Sequence, residues 1–154
     1  MGEEVGGRGC YVLLLELRAE AEVAVGSLGR LKFRPGCYAY VGSAMGRGDA
    51  LRRRLGRHFE MASGAARPRR WHIDYLTSSG RFELVKALAV PSSDRAECRI
   101  SKALLEAGGE PVRRFGSSDC SEGCPSHLYR FPSAEAAERA LRAAGFEFAE
   151  VTSP

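Results

Sequence analysis

Arg54 and His58 stand four residues apart in the stretch Gly36–Phe59, GCYAYVGSAMGRGDALRRRLGRHF. Leu51, Leu55 and Phe59 repeat at the same interval and make one apolar helical stripe, with Arg54 and His58 along its edge. A phosphate-handling site needs a fixed cation beside a sheltered surface. This edge offers an arginine and an imidazole that titrates near neutrality. Arg52, Arg53 and Arg57 point further round, toward solvent. A second set is Cys120, Cys124 and His127, two thiols and an imidazole within eight residues and a donor set suited to structural Zn²⁺. The spacing is not that of a standard finger, and the fourth ligand is open, with His72 and Asp74 of WHIDYL available. The alternative is buried thiols beside a structural histidine. Cys10, Cys37 and Cys98 fall within regular elements and read as small core residues.

The elements that must position these groups can be read in chain order. Residues 1–8 are glycine-rich and charged, and read as a disordered tail. Cys10–Leu17 is nearly continuous apolar sequence, as a central strand requires. Residues 21–25 and 30–34 flank Gly26-Ser27-Leu28-Gly29, a hairpin signal, and Pro35-Gly36 turns the chain into a strand over 37–41. These four segments predict an antiparallel meander leading into a helix over 49–61, with Asp49 as its N-cap. WHIDYL, at 71–76, fits a helical turn or an extended segment equally well. A strand over 82–90 precedes a helix from about Asp94 to Ala107, ended by Gly108-Gly109. Residues 111–115 and 127–131 read as short strands around a polar loop. Ser133 caps a helix over 134–144, Gly145 stops it, and 146–151 reads as a terminal strand. Strands and helices mix without a βαβ rhythm, so the fold class is α+β: one domain over 9–152, a mainly antiparallel central sheet flanked by helices.

Composition narrows the partners. The formal charge is +4 over 154 residues. Between Arg47 and Trp71, however, eight arginines (47, 52, 53, 54, 57, 67, 69 and 70) face only Asp49 and Glu60. One basic patch on a near-neutral body is the footprint of a polyanion-binding protein. Arg47, Arg52, Arg53, Arg57, Arg69 and Arg70 are its candidate nucleic-acid contacts. No apolar run approaches the ~18 residues of a membrane-spanning helix, and the acidic start is no signal peptide. Five scattered cysteines do not make a secreted disulfide framework, so a reduced cytoplasmic interior is expected.

The ordered motifs resemble a known family. Gly9-Cys10-Tyr11 and Tyr40-Val41-Gly42 match the two halves of the GIY-YIG nuclease signature. The run LRRRL over 51–55, followed by His58, resembles that family's helix, and Glu97 sits where the family carries its metal-binding glutamate. YVGSAMG, LRRRLGRH, WHIDYL and FGSSDC–CPSHL are most similar to the small prokaryotic Uri-type branch and extend the resemblance over residues 9–131. Two departures stand out: an extra hairpin over 21–34 separates the tyrosine motifs, and the chain contains no asparagine, which some members carry late in the domain.

The resemblance implies an endonuclease that hydrolyses phosphodiester bonds in DNA, structured or damaged, with RNA also open as a substrate. It implies one Mg²⁺ or Mn²⁺ held by Glu97, Arg54 on the nonbridging oxygens, and Tyr11 as the group that deprotonates water, with Tyr40 and His58 hydrogen-bonding nearby. His58 is the rival base. Each residue has a plainer reading alone: core aromatics for the tyrosines, a solvated helix face for Arg54 and His58, and half of a capping box with Asp94 for Glu97. The competing function is a non-catalytic nucleic-acid-binding module of the same fold.

Overall fold

The computed structural model describes residues 7–65, 67–92, 95–117, 120 and 122–152. Its centre is β1 (Gly9–Leu17), buried at every position but Glu16. A strand covered on both faces needs no polar alternation, which is why this one reads as an unbroken apolar run. β1 pairs antiparallel with β4 (Gly36–Ala44) on one side and with β5 (Glu83–Pro91) on the other. β6 (Glu110–Pro111), β7 (Leu128–Phe131) and β8 (Ala149–Val151) complete a six-stranded sheet of order β6-β7-β4-β1-β5-β8, antiparallel at every pairing.

β2 (Ala21–Ala24) and β3 (Arg30–Phe33) form the expected hairpin, but not a meander with β1 and β4. Both edges of β1 are already taken by β4 and β5, so the hairpin stands as a separate two-stranded ribbon. Its apolar side, Val23 and Phe33, packs over the sheet, with Phe33 edge-on to Tyr38 and Phe82. The extra hairpin thus adds core and leaves β1 and β4 directly paired.

Period-two alternation sorts the two faces of the sheet. Tyr11, Leu13 and Leu15 of β1, with Tyr38 and Tyr40 of β4, face α1 (Ala50–Ala62), α2 (His72–Thr77) and the ribbon. Cys10, Val12 and Leu14, with Cys37, Ala39 and Val41, face α3 (Glu97–Glu106) and α4 (Ala134–Ala143). Leu51 and Leu55 anchor α1, and Ile100 and Leu104 anchor α3, all essentially buried. Truncating such a leucine or isoleucine to alanine costs roughly 2–5 kcal/mol. WHIDYL resolves as the short helix α2. No helix among the described residues is long and apolar enough to cross a membrane.

Several boundaries differ from the sequence reading. Asp49 occupies the N-cap of α1 but makes no side-chain cap bond, and the Leu51 amide donates to the Gly7 carbonyl at 2.9 Å. Gly7 is therefore pinned to α1, while residues 1–6 of the expected tail lie outside the described residues. Asp94 also lies outside them, so its proposed capping box with Glu97 is not described; α3 begins at Glu97, behind a buried Ala96. The expected strand 111–115 shortens to Glu110–Pro111 because the chain turns at 113–117, where Arg114 adopts a positive φ. The terminal strand shortens to Ala149–Val151. Ser133 caps α4 as expected, its Oγ accepting from the Ala136 amide at 3.2 Å.

Candidate functional site

The N-terminus of β1 and the C-termini of β4 and β5 meet at one end of the sheet, where Gly9 pairs with both Ala44 and Pro91. A cavity of about 680 Å³ opens there, with Tyr11, Tyr40, Arg54, Trp71, Glu97 and His127 in its wall. Helices α1 and α3 lie on opposite faces of the sheet rather than against each other. Arg54 and Glu97 share the cavity nonetheless, because Glu97 opens α3 beside the strand ends.

Tyr11 pairs across the ladder with Gly42. A Cβ at position 42 would fall 2.5 Å from Tyr11 Cζ, so the glycine makes room for the phenol ring. The Tyr11 hydroxyl meets His58 Nε2 at 2.8 Å. Burial pushes the phenol well above its usual range, against the lowering effect of Arg54, which is near in charge and in hydrogen bond. Tyr11 therefore keeps its proton at neutral pH. His58 was expected on the edge of α1 but is fully buried. Burial lowers its pKa to about 4; Asp74 works in the opposite direction, and Arg54 and Arg57 add to the lowering. The imidazole is thus neutral at pH 7, its Nε2 bonded to the Tyr11 hydroxyl and its Nδ1 without a hydrogen-bond partner among the described residues. Tyr40 stacks edge-on to His58 and Phe115, and burial raises it well above the ordinary phenol range.

Arg54 is fixed by two contacts. It donates to the Ser43 carbonyl at 2.9 Å, and its guanidinium lies 4.4 Å from the centre of the Trp71 ring. Trp71 also carries Arg57, at 4.6 Å. Arg57 does not point to solvent as the helical period suggested. Both its terminal nitrogens pair with Asp74, at 3.1 and 3.0 Å, and its side chain is only 12% exposed. Burial opposes ionisation of Asp74, yet the Arg57 bond and the Arg70 and Trp71 amides hold its carboxyl below the usual range. Asp74 is therefore an anchor for Trp71 and α1, not a metal ligand. Arg57 leaves the set of phosphate contacts, while Arg47, Arg52, Arg53, Arg69 and Arg70 are exposed on that face.

The acidic side of the cavity is sparse. Glu97 is half-buried at its rim, with the exposed Glu122 in the same wall. Oxygen donors of this kind fit a hard cation such as Mg²⁺ or Mn²⁺ that keeps much of its water shell. Arg95, exposed two residues before Glu97, adds a second guanidinium to the wall. Arg95, Glu122 and Trp71 were not singled out from the sequence, since an isolated charge or aromatic carries no periodic signal.

The Cys/His cluster is real as geometry but differs in membership. Cys98, Cys120, Cys124 and His127 bring their ligand atoms within 4.8 Å of one another, a grouping able to hold a metal ion. Cys98 is thus not a core residue; it turns outward from α3 and meets Cys120 Sγ at 3.2 Å. His72 is excluded, its Nδ1 instead accepting from the Gly116 amide at 2.9 Å. A tetrahedral site with metal–sulfur bonds of ~2.3 Å needs sulfur separations of about 3.8 Å, so this cluster closes on an ion with small shifts. Among the described residues His127 Nε2 is buried without a hydrogen-bond partner, while the Gly116 backbone bonds the imidazole through Nδ1. A backbone-held ring with its other nitrogen bare is how a ligating histidine is oriented. Cys10 and Cys37 are buried core residues as expected. None of Cys10, Cys37, Cys98, Cys120 and Cys124 forms a disulfide.

Fold and cluster together define a mainly antiparallel α+β domain with a site able to take a metal ion. The chain belongs to the family described as Domain of unknown function DUF123, which matches it over residues 10–149. No curated protein and no solved structure matches it.

Proposed function

We propose that this protein is a divalent-metal-dependent endonuclease of GIY-YIG type acting on DNA. One observation carries the reading: Tyr11, Tyr40, Arg54 and Glu97, drawn from two strands and from helices on opposite faces of the sheet, line a single cavity. A purely structural use of these side chains gives no reason for them to converge. The exposed arginines at 47, 52, 53, 69 and 70 support a polyanionic substrate.

Glu97 would hold the Mg²⁺ or Mn²⁺, with Glu122 in the wall of the same cavity. When bound, that ion supplies charge neutralisation at the phosphate and leaving oxygen. Arg54, held by Ser43 and Trp71, presents its guanidinium to the nonbridging oxygens without reorganisation as charge builds in the transition state. Tyr11 and His58 act in series rather than as rivals. The Tyr11 oxygen takes a proton from the attacking water as its own proton passes to His58 Nε2, 2.8 Å away. The depressed pKa of His58 would rise when a phosphate brings negative charge beside it. Tyr40 walls the cavity and holds His58 by edge contact.

For the cluster we propose Zn²⁺. Three thiols and one imidazole match its soft tetrahedral preference and not that of a hard oxygen-seeking ion. Incubating the protein with plasmid, flap, branched and single-stranded DNA, with Mg²⁺ or Mn²⁺ and with chelator, tests the activity. Metal-dependent cleavage of at least one substrate is expected. Salt-sensitive binding without cleavage would leave a non-catalytic nucleic-acid-binding module.

A further inference from the structure

The four donors of the cluster come from two parts of the chain. Cys98 belongs to the first turn of α3, whereas Cys120, Cys124 and His127 belong to the segment between β6 and β7. Cys98 follows Glu97 directly, and Glu97, Cys98, Cys120, Glu122 and His127 all face the same cavity. The residue before that turn, Ala96, is buried, and its amide bonds the Cys10 sulfur at 3.2 Å.

The other half of the cluster is coupled to the cavity as well. Gly116 bonds His127 through its backbone and donates its amide to His72 at 2.9 Å. At φ +69 it lies against Tyr40, so close that an added Cβ would be 3.1 Å from the Tyr40 ring and 3.4 Å from His127 Cβ. Closing four donors on an ion would therefore tie the first turn of α3, the 112–127 segment and Tyr40 into one wall. Among the described residues His127 Nε2 is buried with no hydrogen-bond partner, which suits it to a metal ligand's role.

We infer that the soft metal held by Cys98, Cys120, Cys124 and His127 is a clamp that positions Glu97, so that its occupancy sets the affinity of the neighbouring carboxylate site for a hard divalent ion. Cys98 is then a positioning residue, acting through Glu97. The inference rests on the reading of Glu97 as the hard-metal ligand. Two metal sites of opposite chemistry share one wall, and the soft one governs the hard one. Supporting shells of this kind typically change metal affinity by roughly 10–100-fold.

The test uses the full chain, with Mn²⁺ binding followed by the electron paramagnetic resonance of the free ion, apart from any DNA. Zinc-loaded parent, Cys98→Ser, Cys98→His and Glu97→Gln are compared, with zinc content measured on each. Cys98→Ser is expected to lose zinc and bind Mn²⁺ at least about tenfold more weakly, and Cys98→His to recover both. If Cys98→Ser does not fold, Cys124→Ser, which keeps three donors and binds zinc more weakly, is titrated with zinc at fixed Mn²⁺. Bound Mn²⁺ should then rise with zinc occupancy. Mn²⁺ affinity that stays constant across that titration, or in a folded zinc-free Cys98→Ser, overturns the clamp. Glu97→Gln binding Mn²⁺ as tightly as the parent would instead remove the hard-metal reading, and the clamp with it.

Discussion

Replacing His58 should change how stability responds to pH, because its environment suppresses protonation. His58 is fully buried, hydrogen-bonded to Tyr11, and faces Arg54, Arg57 and Asp74. Its pKa falls to about 4 in the fold, chiefly through burial, against 6.5 in the unfolded chain. Between those values the unfolded chain binds a proton that the native one refuses. Stability from this residue is thus complete above pH 6.5 and is lost as pH falls toward 4. The slope is about 1.4 kcal/mol per pH unit inside the window, and the loss between pH 7.5 and pH 5 is about 2 kcal/mol. In a domain of this size that lowers Tm by roughly 4–8 °C. His127, also lowered by burial, contributes with the same sign, and Asp74 acts at lower pH, since its carboxyl is depressed. The comparison of parent with His58→Gln isolates His58, since glutamine fills much of the volume but does not titrate. Urea melts at half-unit steps from pH 7.5 to 5 should show the two stability curves converging by about 2 kcal/mol as pH falls. Curves that stay parallel would mean that His58 takes up protons in the native state as readily as in the unfolded one, and the neutral imidazole assigned to His58 would be wrong.

Asp74→Ala leaves Arg57 buried beside Trp71 without its partner and should destabilise the protein by about 3–5 kcal/mol in chemical denaturation. Adding Arg57→Leu should recover part of that loss, so a double-mutant cycle returning purely additive effects would contradict a coupled pair. Replacing both Arg52 and Arg53 with alanine should weaken DNA binding across all sequences and flatten the plot of log affinity against log salt by about two. An unchanged slope would move the binding face away from α1.

The parts of this fold legible in the sequence are those set by local pattern. The apolar stripe of Leu51, Leu55 and Phe59, the unbroken run of β1, and the Ser133 and Gly145 signals around α4 each need only a few neighbours to be read. What was not legible depends on partners far along the chain. Arg57 has the period of an exposed residue, and only Asp74, 17 residues on, turns it inward. His58 sits on a stripe edge that Tyr11, from a distant strand, closes over. The ribbon β2–β3 gives a clear hairpin signal, but whether it joins β1 depends on β5, which arrives some 60 residues later. Cys98 shows the same limit from the other side: its helical neighbours suggest core, and Cys120 and Cys124 draw it into the cluster. The ordered motifs located Tyr11, Tyr40, Arg54 and Glu97, which the structure brings to one cavity, but gave no role to Trp71, the first residue of WHIDYL, and no notice of Arg95.

The central claim is that Glu97 holds a catalytic hard metal opposite Arg54. It is tested most directly by the single-turnover cleavage rate of Glu97→Gln at saturating Mg²⁺ or Mn²⁺, on whichever DNA the parent cuts best. Glutamine keeps the size and hydrogen-bonding capacity of the side chain at the start of α3 and removes only the charge. If Glu97 merely supports the helix end, the change costs about 1 kcal/mol of stability and leaves the rate intact. If Glu97 is the metal ligand, the loss of several kcal/mol of transition-state stabilisation predicts a rate lower by at least about a thousandfold, with DNA affinity nearly unchanged. Cleavage by Glu97→Gln at the parent rate would contradict the account.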